Sequence, residues 1–423
     1  MLLDDDSTGA QAAARIPIVL RPTRAALRVA TARSASYVVT NSRACSPSDA
    51  ATVTREAASA VLAEAPAARL ALRGDSTLRA HFIEEHDAVC RALRLVNAPA
   101  VLVPALPSAG RVTRNGVHYL LVDGGAVPVG ETEFARDPYL GYRHSHLLDW
   151  ADSRSGGRFR ATDGAVIDLA TVREPDGRSR VASAIDGAAR RPRPSVVAVD
   201  AETNDDIDEI AEGIRLAWVQ GSQFVLRCSP SLAAALACAT ADVLTEMPTA
   251  RRLLVLCGSF VDRTTRQLAQ LVAGHPGTAV EIDVDAALAD PVGERRRLET
   301  QARELIDGGS IAVVATPRVH DNRRAGRAVA DRLTAVLATV AEKLADELDL
   351  LILKGGATSA SIVATGLGAD MVEVVGPVGH GASLWSVPVG GGRQLPTVVA
   401  PGNVGGDYAL TDLVARARGG VTC

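Results

Sequence analysis

Three consecutive aspartates near the beginning of the chain are the first residues whose types suit chemistry. Asp4, Asp5 and Asp6 follow a short apolar stub and precede the letters STGA. Adjacent carboxylates repel one another, and at the end of a strand they can accept hydrogen bonds from hydroxyl groups or hold a metal. The same letters also fit an acidic cluster that caps the next helix, with the serine and threonine as capping residues. The triplet alone leaves both interpretations open.

Two arginine-containing segments follow predicted strands further along the chain. Thr40–Arg43 (TNSR) comes directly after the apolar run Tyr37–Val39, and Arg73–Arg79 (RGDSTLR) comes after the run Leu70–Leu72. Ligands of open α/β sheets bind beyond the carboxyl ends of the strands. We therefore expect both segments to face a binding site.

The residue types in these segments suit a carboxylate and hydroxyl groups. Arg43 and Arg79 can grip a carboxylate through bidentate hydrogen bonds, while Asp75 and Ser76 can hold hydroxyl groups. A helix cap beside solvated arginines explains one such segment, but it does not explain three at successive strand ends. Arg111, in a polar loop after another predicted strand, is expected to face the same cleft, although plain turn chemistry fits that loop equally well.

Glycine-rich turns mark the second half of the chain. Turns that open helices expose backbone N–H groups, and the positive end of the helix favours an anion, so a nucleotide phosphate is the expected ligand. The letters match neither GxxxxGK[ST] nor GxGxxG. The turns are Cys257–Ser259, Lys354–Ser359, Gly379–Gly381 and Pro401–Gly406.

Short apolar runs alternate with Ala-rich segments of helical spacing along most of the chain. This alternation predicts an α/β fold of two domains, each a largely parallel sheet flanked by helices, with the active site in the cleft between them. A fresh strand at Leu253 places the domains at residues 1–245 and 250–423. The stretch Asp152–Pro194, rich in Arg, Gly, Ser and Asp, is expected to be a mobile surface segment around short elements. Predicted strands include Val101–Val103, Val196–Val199, Phe224–Leu226 and Leu350–Leu353, and predicted helices include Asp205–Gln220, Arg263–Val272 and Asn322–Glu347.

Composition excludes several classes of protein. The 423 residues are 47% hydrophobic and 22% charged, with a net charge of −4, so wholesale disorder is excluded and a nucleic-acid partner is not expected. The six cysteines form no CxxC pair and the histidines show no HxxxH spacing, which argues against disulfides and a zinc site. Without a signal peptide or a run of ~20 apolar residues, the chain is expected to be cytoplasmic, with no membrane partner.

The ordered set of motifs resembles the four-carbon acid sugar kinases, which phosphorylate compounds such as threonate, erythronate and 3-oxo-tetronate with ATP. The resemblance spans nearly the whole chain. It implies an ATP-dependent kinase that phosphorylates a hydroxyl, expected to be the terminal one, with the sugar acid in the first domain and ATP with Mg²⁺ in the second. The matching segments are Asp5–Ala10, Ser42-Arg43, Asp75–Ala80, Pro104–Arg111, Gly258-Ser259, Gly355–Thr358, Gly381 and Gly402–Gly405.

The resemblance and the residue types together predict roles residue by residue. Asp6 and Asp75 are the expected catalytic residues, and no side chain is assigned to a metal. The expected substrate contacts are Asp5, Asp6, Arg43, Arg73, Asp75, Ser76, Thr77, Arg79 and Arg111. The expected ATP contacts are Ser259, Lys354, Gly355, Gly356, Ala357, Thr358, Gly381, Gly402, Asn403 and Gly405. The identity of the acid is left open, and so is a homo-oligomeric state.

Four positions depart from the family pattern, and two other functions stay open. Ser7 stands where the family has an apolar residue, and Ala80 stands where it has a glycine. Ala357 replaces an acidic or polar residue, and Ala400 replaces a lysine. We expect Lys354 to supply the charge of that missing lysine. The short first strand leaves a start upstream of Met1 open.

Asp4–Thr8 also satisfies DxDxT, the motif of haloacid-dehalogenase-type phosphatases, with Asp4 as nucleophile and Asp6 as acid/base. A non-catalytic sugar-acid binding protein is the third interpretation.

Overall fold

The chain divides into two compact units in this computed structural model, which describes residues 1–122, 125–318 and 322–420, with the backbone alone for 322–327. Unit 1 consists of Met1–Ala13 and Pro22–Thr240, and unit 2 of Ala14–Arg21 and the chain from Ala241 onward.

The strands and helices are bounded as follows. The strands are β1 (Leu2–Asp4), β2 (Ile16–Val19), β3 (Tyr37–Val39), β4 (Ala71–Arg73), β5 (Ala100–Val103), β6 (Arg111–Arg114), β7 (Val117–Val122), β8 (Gly125–Pro128), β9 (Ala165–Ile167), β10 (Val196–Val199), β11 (Val225–Cys228), β12 (Leu253–Cys257), β13 (Ala279–Glu281), β14 (Ala312–Ala315), β15 (Leu350–Lys354), β16 (Met371–Gly379), β17 (Ala382–Pro388) and β18 (Gln394–Ala400). The helices are α1 (Arg24–Thr31), α2 (Pro47–Glu64), α3 (Phe82–Leu93), α4 (Leu147–Arg154), α5 (Leu169–Val172), α6 (Gly177–Ala189), α7 (Asn204–Val219), α8 (Pro230–Leu236), α9 (Asp262–Gly274), α10 (Val284–Ala289), α11 (Pro291–Asp307), α12 (Asn322–Leu344), α13 (Gly356–Ser361) and α14 (Ala409–Ala417).

Unit 1 contains a parallel sheet with the strand order β3-β1-β4-β11-β5-β10-β9, together with the small antiparallel sheet β6-β7-β8. Its strands are the short apolar runs of the sequence, and β5, β10 and β11 are buried along their whole length. Burial on both faces is typical of a parallel sheet covered by helices. The α/β class predicted from the sequence is confirmed.

Unit 2 combines parallel and antiparallel pairing. Strands β13, β14, β12, β15 and β18 are parallel neighbours in that order, and β17, β16 and β2 continue the sheet in antiparallel pairing. The last of these strands comes from the beginning of the chain, since Ile16–Val19 pairs with the first residues of β16. The predicted boundaries, 1–245 and 250–423, therefore miss that residues 14–21 belong to the second unit. The letters IPIV predict a buried strand but contain nothing that selects its partner.

The segment Asp152–Pro194, predicted to be a mobile surface segment around short elements, contains the 13-residue helix α6, which the prediction misses. These residues include the end of α4 and the whole of β9, α5 and α6. Helix α6 buries Val181 and Ile185 and packs against α7. The approach is close, because a Cβ on Gly213 of α7 would lie 2.7 Å from the Cβ of Val181. The exposed side of α6 is rich in arginine and glycine, so the overall composition of the segment does not reveal the apolar face of the helix.

Candidate functional site

The carboxyl ends of three neighbouring strands bring the predicted acids and arginines of unit 1 together. Strand β1 lies between β3 and β4, and the parallel register sets Asp4 opposite both Val39 and Arg73. The segments that follow the three strands therefore emerge at one edge of the sheet. This is the edge at which α/β folds bind their ligands.

Asp4 forms a buried ion pair with Arg73. The Nε of Arg73 donates to Asp4 Oδ1 at 2.5 Å, and both side chains are almost fully buried, with 0% and 3% of the side chain exposed for Asp4 and Arg73. A Cβ on Gly9 would lie 2.3 Å from Asp4 Oδ2, so only glycine fits against this carboxylate. Burial, opposed by Arg73, raises the pKa of Asp4 to about 7. Asp4 is thus a structural partner of Arg73, closed off from any ligand.

Arg43 forms hydrogen bonds with the other two acids of the triplet, Asp5 and Asp6. It donates to both oxygens of Asp5, from Nη2 at 2.5 Å and from Nε at 3.2 Å, and its Nη1 lies 3.3 Å from Asp6 Oδ2. The Oδ1 of Asp6 accepts from the backbone N–H and the hydroxyl of Thr8. Burial favours a raised pKa for Asp6, but Arg43, Arg73 and Thr8 outweigh it and lower that pKa. Asp6 is the most exposed acid of the triplet, with 20% of its side chain exposed against 4% for Asp5.

Asp75 is held as a carboxylate by arginines. Arg79 Nε donates to Asp75 Oδ2 at 2.7 Å, and Arg43 Nη1 lies 4.0 Å from Asp75 Oδ1. Thr77 adds a hydroxyl hydrogen bond to Oδ2. Burial alone would raise the pKa of Asp75, but Arg79, Arg43 and Arg111 hold it well below its usual range. Asp75 therefore accepts hydrogen bonds at any physiological pH.

The loop that carries Asp75 is fixed by residues that the sequence did not single out. His118 Nε2 donates to the Ser76 carbonyl at 2.8 Å, Tyr142 donates to the Thr77 carbonyl, and Arg154 donates to the Ala80 carbonyl at 2.6 Å. Burial lowers the pKa of His118 to about 4, which keeps the ring neutral. Leu78 has a φ of +65°, a conformation that costs energy for a side chain of its size. Arg111 also reaches the loop, where it donates to Ser76 Oγ at 2.6 Å.

A second buried ion pair that the sequence analysis missed lies behind Asp5. Glu85 accepts from Ser42 Oγ at 2.5 Å and from Arg227 Nη1 at 2.5 Å. Arg227 Nη2 lies 3.7 Å from Asp5 Oδ2. A signal existed for Arg227, because an arginine directly after the apolar run Phe224–Leu226 repeats the pattern of the other strand ends. Glu85 gave none, since an acid in the first turn of a helix is common on solvated surfaces.

The titration of Asp4 predicts that stability falls as pH rises. An unfolded carboxyl titrates near 3.9, whereas folded Asp4 titrates near 7. Between these pH values the folded state holds the extra proton, so the free energy of unfolding declines toward neutrality. Asp4→Asn removes this titration. We expect the melting temperature of Asp4→Asn minus that of wild type to increase by about 5–10 °C between pH 5 and pH 8, because about two pH units of titration change the free energy of unfolding by about 2–3 kcal/mol.

The exposed Asp242→Asn is the matched control and should follow wild type at both pH values. Equal pH dependence in wild type and Asp4→Asn would show that Asp4 is ionised throughout this range.

In unit 2 the predicted glycine turns converge at the ends of β12, β15 and β18. A Cβ on Gly258 would lie 2.5 Å from Thr358, and one on Gly402 would lie 2.4 Å from Ser259 Oγ. Gly355 has a φ of +112° and approaches Ser259 to 3.0 Å by the same measure. Ser259, Gly355, Thr358 and Gly402 thus lie together, and glycine is required by both the close approaches and the backbone conformation.

Three side chains of helix α9 hold the last of these turns. Thr264 donates to the Gly402 carbonyl at 2.9 Å, Arg263 donates to the Gly405 carbonyl at 2.8 Å, and Gln267 Nε2 donates to the carbonyls of residues 404–406. A Cβ on Gly405 would lie 3.2 Å from His380, which places the Gly379–Gly381 turn beside the same loop. The turn that contains Asn403 is therefore rigidly supported. These α9 residues belong to no motif that the sequence displays.

Lys354 is buried, whereas Ala357, three residues later, is exposed. Lys354 is buried at the end of β15 and donates to the Pro401 carbonyl. Burial, with help from Arg263, lowers the pKa of its ammonium to about 8. Gly356 begins α13, and Ala357 is exposed beside it. Arg318, which the sequence analysis did not name, donates to the Ser259 carbonyl at 2.6 Å.

Within the described residues, no group of three or more His, Cys, Asp or Glu side chains is arranged to hold a metal ion. No helix of that part of the chain is long and apolar enough to cross a membrane.

Comparison with known proteins gives matches along both units. A family model described as a sugar-binding N-terminal domain matches residues 1–236, and one described as a nucleotide-binding C-terminal domain matches residues 254–410. A D-threonate kinase of Bordetella bronchiseptica is 30% identical over 370 residues, 87% of this chain and 82% of the relative. The chain belongs to the four-carbon acid sugar kinase family. A D-erythronate kinase of Heliobacterium modesticaldum is 29% identical over 404 residues, 89% of this chain and 87% of the relative.

Solved structures agree on the fold. A protein from Salmonella typhimurium LT2 has a TM-score of 0.70 at 19% identity, covering 99% of this chain and 98% of its own. A protein from Haemophilus influenzae has a TM-score of 0.64 at 19% identity, covering 99% of both chains. These likenesses support the two-domain α/β architecture.

Proposed function

We propose that this protein is an ATP-dependent kinase that transfers a phosphoryl group to a hydroxyl of a four-carbon sugar acid. The observation that carries the proposal is the pair of ionised carboxylates, Asp6 and Asp75, that Arg43 holds at one sheet edge within the region matched by the sugar-binding model. The kinases of four-carbon acids that match most of the chain support the same reaction. Unit 1 holds the acid in this proposal, and unit 2 holds ATP.

The chemistry asked of Asp6 and Asp75 is orientation of hydroxyl groups. An ionised carboxylate accepts a hydroxyl hydrogen, and during transfer it can take the proton that the attacking oxygen loses. Phosphoryl transfer needs little covalent help from the protein, so positioned charges account for most of the rate enhancement. Asp6 is the more exposed of the two acids, which suits contact with the reacting hydroxyl, while the loop cage around Asp75 suits substrate binding.

ATP binding is assigned to the convergent turns of unit 2, with Ser259, Gly355, Thr358, Gly402 and the ammonium of Lys354 as the central groups. Mg²⁺ is expected to arrive on the ATP phosphates, because a protein site for Mg²⁺ commonly needs only one or two carboxylates besides substrate oxygens. The peripheral contacts Gly356, Ala357, Gly381, Asn403 and Gly405 complete the assignment. A cytoplasmic location and a homo-oligomer stay predictions.

The phosphatase interpretation fails on the burial of Asp4. As a nucleophile Asp4 would have to reach a phosphorus atom, but it is fully buried, bonded to Arg73 and closed off by Gly9. Its raised pKa of about 7 also leaves it partly protonated at neutral pH, which weakens a carboxylate nucleophile.

The decisive experiment measures ADP and phosphorylated acid together. The protein with Mg²⁺–ATP should form both in equal amounts from D-erythronate, D-threonate or a 3-oxo-tetronate. Release of inorganic phosphate from the phosphorylated acids without ADP would favour the phosphatase. Binding of an acid in a thermal-shift assay, with no ADP formed from any member of the panel, would favour a non-catalytic binding protein.

Arg79→Ala is expected to give kcat/KM a new acidic limb. Arg79 is the strongest of the arginines that keep the pKa of Asp75 low, so its removal raises that pKa. Asp75 then gains a proton as pH falls, and kcat/KM should decline below the new pKa. At neutral pH the lost charged hydrogen bond should cost about tenfold or more. The measurement is the pH profile of kcat/KM between pH 5 and 8.

Arg79→Lys is the conservative control and should keep most of the wild-type profile. A higher KM for the acid with an unchanged pH profile would instead support the carboxylate grip predicted from the sequence. Kinetics equal to wild type would contradict both roles.

A further inference from the structure

Unit 1 contains a small cavity beside the acids and arginines described above. Its volume is about 20 Å³, which is space for one or two waters or for one end of a small ligand. Most of the lining is apolar, and the polar groups come from Asp75, Trp150 and Arg227. The lining residues are Gly74, Asp75, Leu78, Leu102, Val103, Pro104, Trp150, Arg227 and Cys228.

Two of the lining residues carry N–H groups that the described part of the chain leaves without a hydrogen-bond acceptor. Trp150 Nε1 and Arg227 Nη2 are both shielded from solvent and lack such a partner there. Trp150 is 1% exposed and Arg227 is 9% exposed. A buried donor without an acceptor costs about 1–3 kcal/mol, so proteins seldom leave two beside one cavity unless a ligand or water fills it.

The surroundings fix these donors in place. Glu85 binds the Nη1 of Arg227 at 2.5 Å, whereas Nη2 lies 3.7 Å from Asp5 Oδ2 and forms no hydrogen bond within the described residues. Gly74 permits the approach, because a Cβ there would lie 2.6 Å from Nη2. The Trp150 ring packs 5.0 Å from the ring of Phe82 in the core of the unit. Both side chains are therefore held by packing or an ion pair that a ligand need not disturb.

The polar groups of the cavity are complementary to a ligand end that carries both hydrogen-bond acceptors and a hydrogen-bond donor. The two N–H groups need acceptor oxygens, and ionised Asp75 can only accept, so it needs a hydroxyl. A carboxylate with a hydroxyl on the next carbon supplies both. We propose that this cavity binds the 2-hydroxycarboxylate end of the sugar acid, with the carboxylate on Trp150 and Arg227 and the adjacent hydroxyl on Asp75.

This assignment rests on the proposed function and defines its specificity. Arg43 and Arg79 then act through the acids that they hold, and the cavity selects for the acid. Asp6 and Asp75 both lie within 4.0 Å of the same Arg43 nitrogen. With the carboxylate end enclosed beside Asp75, the hydroxyl at the other end of the chain is the one left for Asp6.

Trp150→Phe and Arg227→Lys test the proposal. The first keeps an aromatic ring, although a smaller one, and removes the indole N–H. The second keeps a cation opposite Glu85 and removes the guanidinium edge. Each should raise the KM for D-erythronate or D-threonate about tenfold or more, as expected for a lost hydrogen bond to a charged group, with the KM for ATP unchanged. The preference of wild type for the acids over the neutral polyols erythritol and threitol should shrink by a similar factor in Arg227→Lys.

Tryptophan fluorescence provides a readout without turnover. Adding the acid in the absence of ATP should change the emission of wild type, and Trp150→Phe should lose that change. Trp218→Phe is the matched control, because Trp218 stacks on Phe224 and does not line the cavity. It should keep both the fluorescence change and the wild-type KM.

The outcomes separate this proposal from the proposed function. Wild type that forms no ADP from any acid contradicts the kinase, but the loss of the fluorescence change in Trp150→Phe would still support the cavity site. Normal KM values and a retained fluorescence change in both cavity variants, with a lower melting temperature, would show that the cavity holds only structural water and would overturn the proposal.

Discussion

Asp6→Asn is expected to lower kcat by roughly 10²–10⁴-fold, the range for loss of a positioned acid–base group, while ATP binding stays close to wild type. Asn keeps the shape of the side chain and still accepts at one oxygen, but it cannot take the hydroxyl proton. Asp6 is the acid of the triplet that reaches solvent, and its pKa is lowered, so it is ionised when substrate binds. Steady-state ADP formation and equilibrium binding of ATP measure the two quantities.

Asp4→Asn is the matched comparison, because the same change of chemistry occurs two residues away. Asp4 contacts Arg73 in the interior, so its variant should alter stability more than kcat. Loss of activity in Asp4→Asn together with a working Asp6→Asn protein would contradict the kinase assignment and revive the phosphatase. Equal, severe losses in both would indicate that the triplet acts as one unit.

Strand ends explain why much of the unit 1 site was predictable. The runs around Tyr37–Val39 and Leu70–Leu72 are apolar and short, and parallel strands deliver the polar residues that follow them to one edge. Arg43 Nη1 therefore lies 4.0 Å from Asp75 Oδ1 although the two residues are far apart in sequence, and their shared role in substrate binding stays a prediction. What the pattern did not specify is the pairing of each arginine. Arg43 and Arg79 contact acids of the protein itself, which spacing alone could not show.

The residues that sequence analysis missed are those whose role depends on tertiary packing. Glu85 looks like a solvated helix acid, yet it is buried against Arg227 and Ser42. His118 has no motif around it, and its bond to the Ser76 carbonyl depends on a hairpin that folds over the loop. Buried ion pairs need well-placed partners to offset desolvation, and those partners come from distant elements. Composition also did not predict helix α6, because its exposed arginines mask the apolar residues of its buried face.

The second large effect is expected at Lys354. Its partner in the parallel register is Ala400, the position at which the sequence departs from the family lysine. Side chains of register partners project from the same face of a sheet, so Lys354 is placed to supply the charge that Ala400 lacks. Lys354→Met should lower kcat at least 10²-fold and raise the KM for ATP, because developing phosphate charge loses its cation, with no change in acid binding.

The pH dependence of ATP binding tests the same role of Lys354 in the unmodified protein. Its ammonium has a pKa lowered to about 8, so wild type should bind ATP more weakly as pH rises above that value, while Lys354→Arg should not lose affinity there. Ala400→Lys should partly restore the Lys354→Met protein, since it returns a cation to the neighbouring strand. A Lys354→Met protein that melts earlier but turns over ATP normally would reduce Lys354 to a partner of the Pro401 carbonyl. Mg²⁺ and backbone N–H groups alone would then stabilise the negative charge of the ATP phosphates.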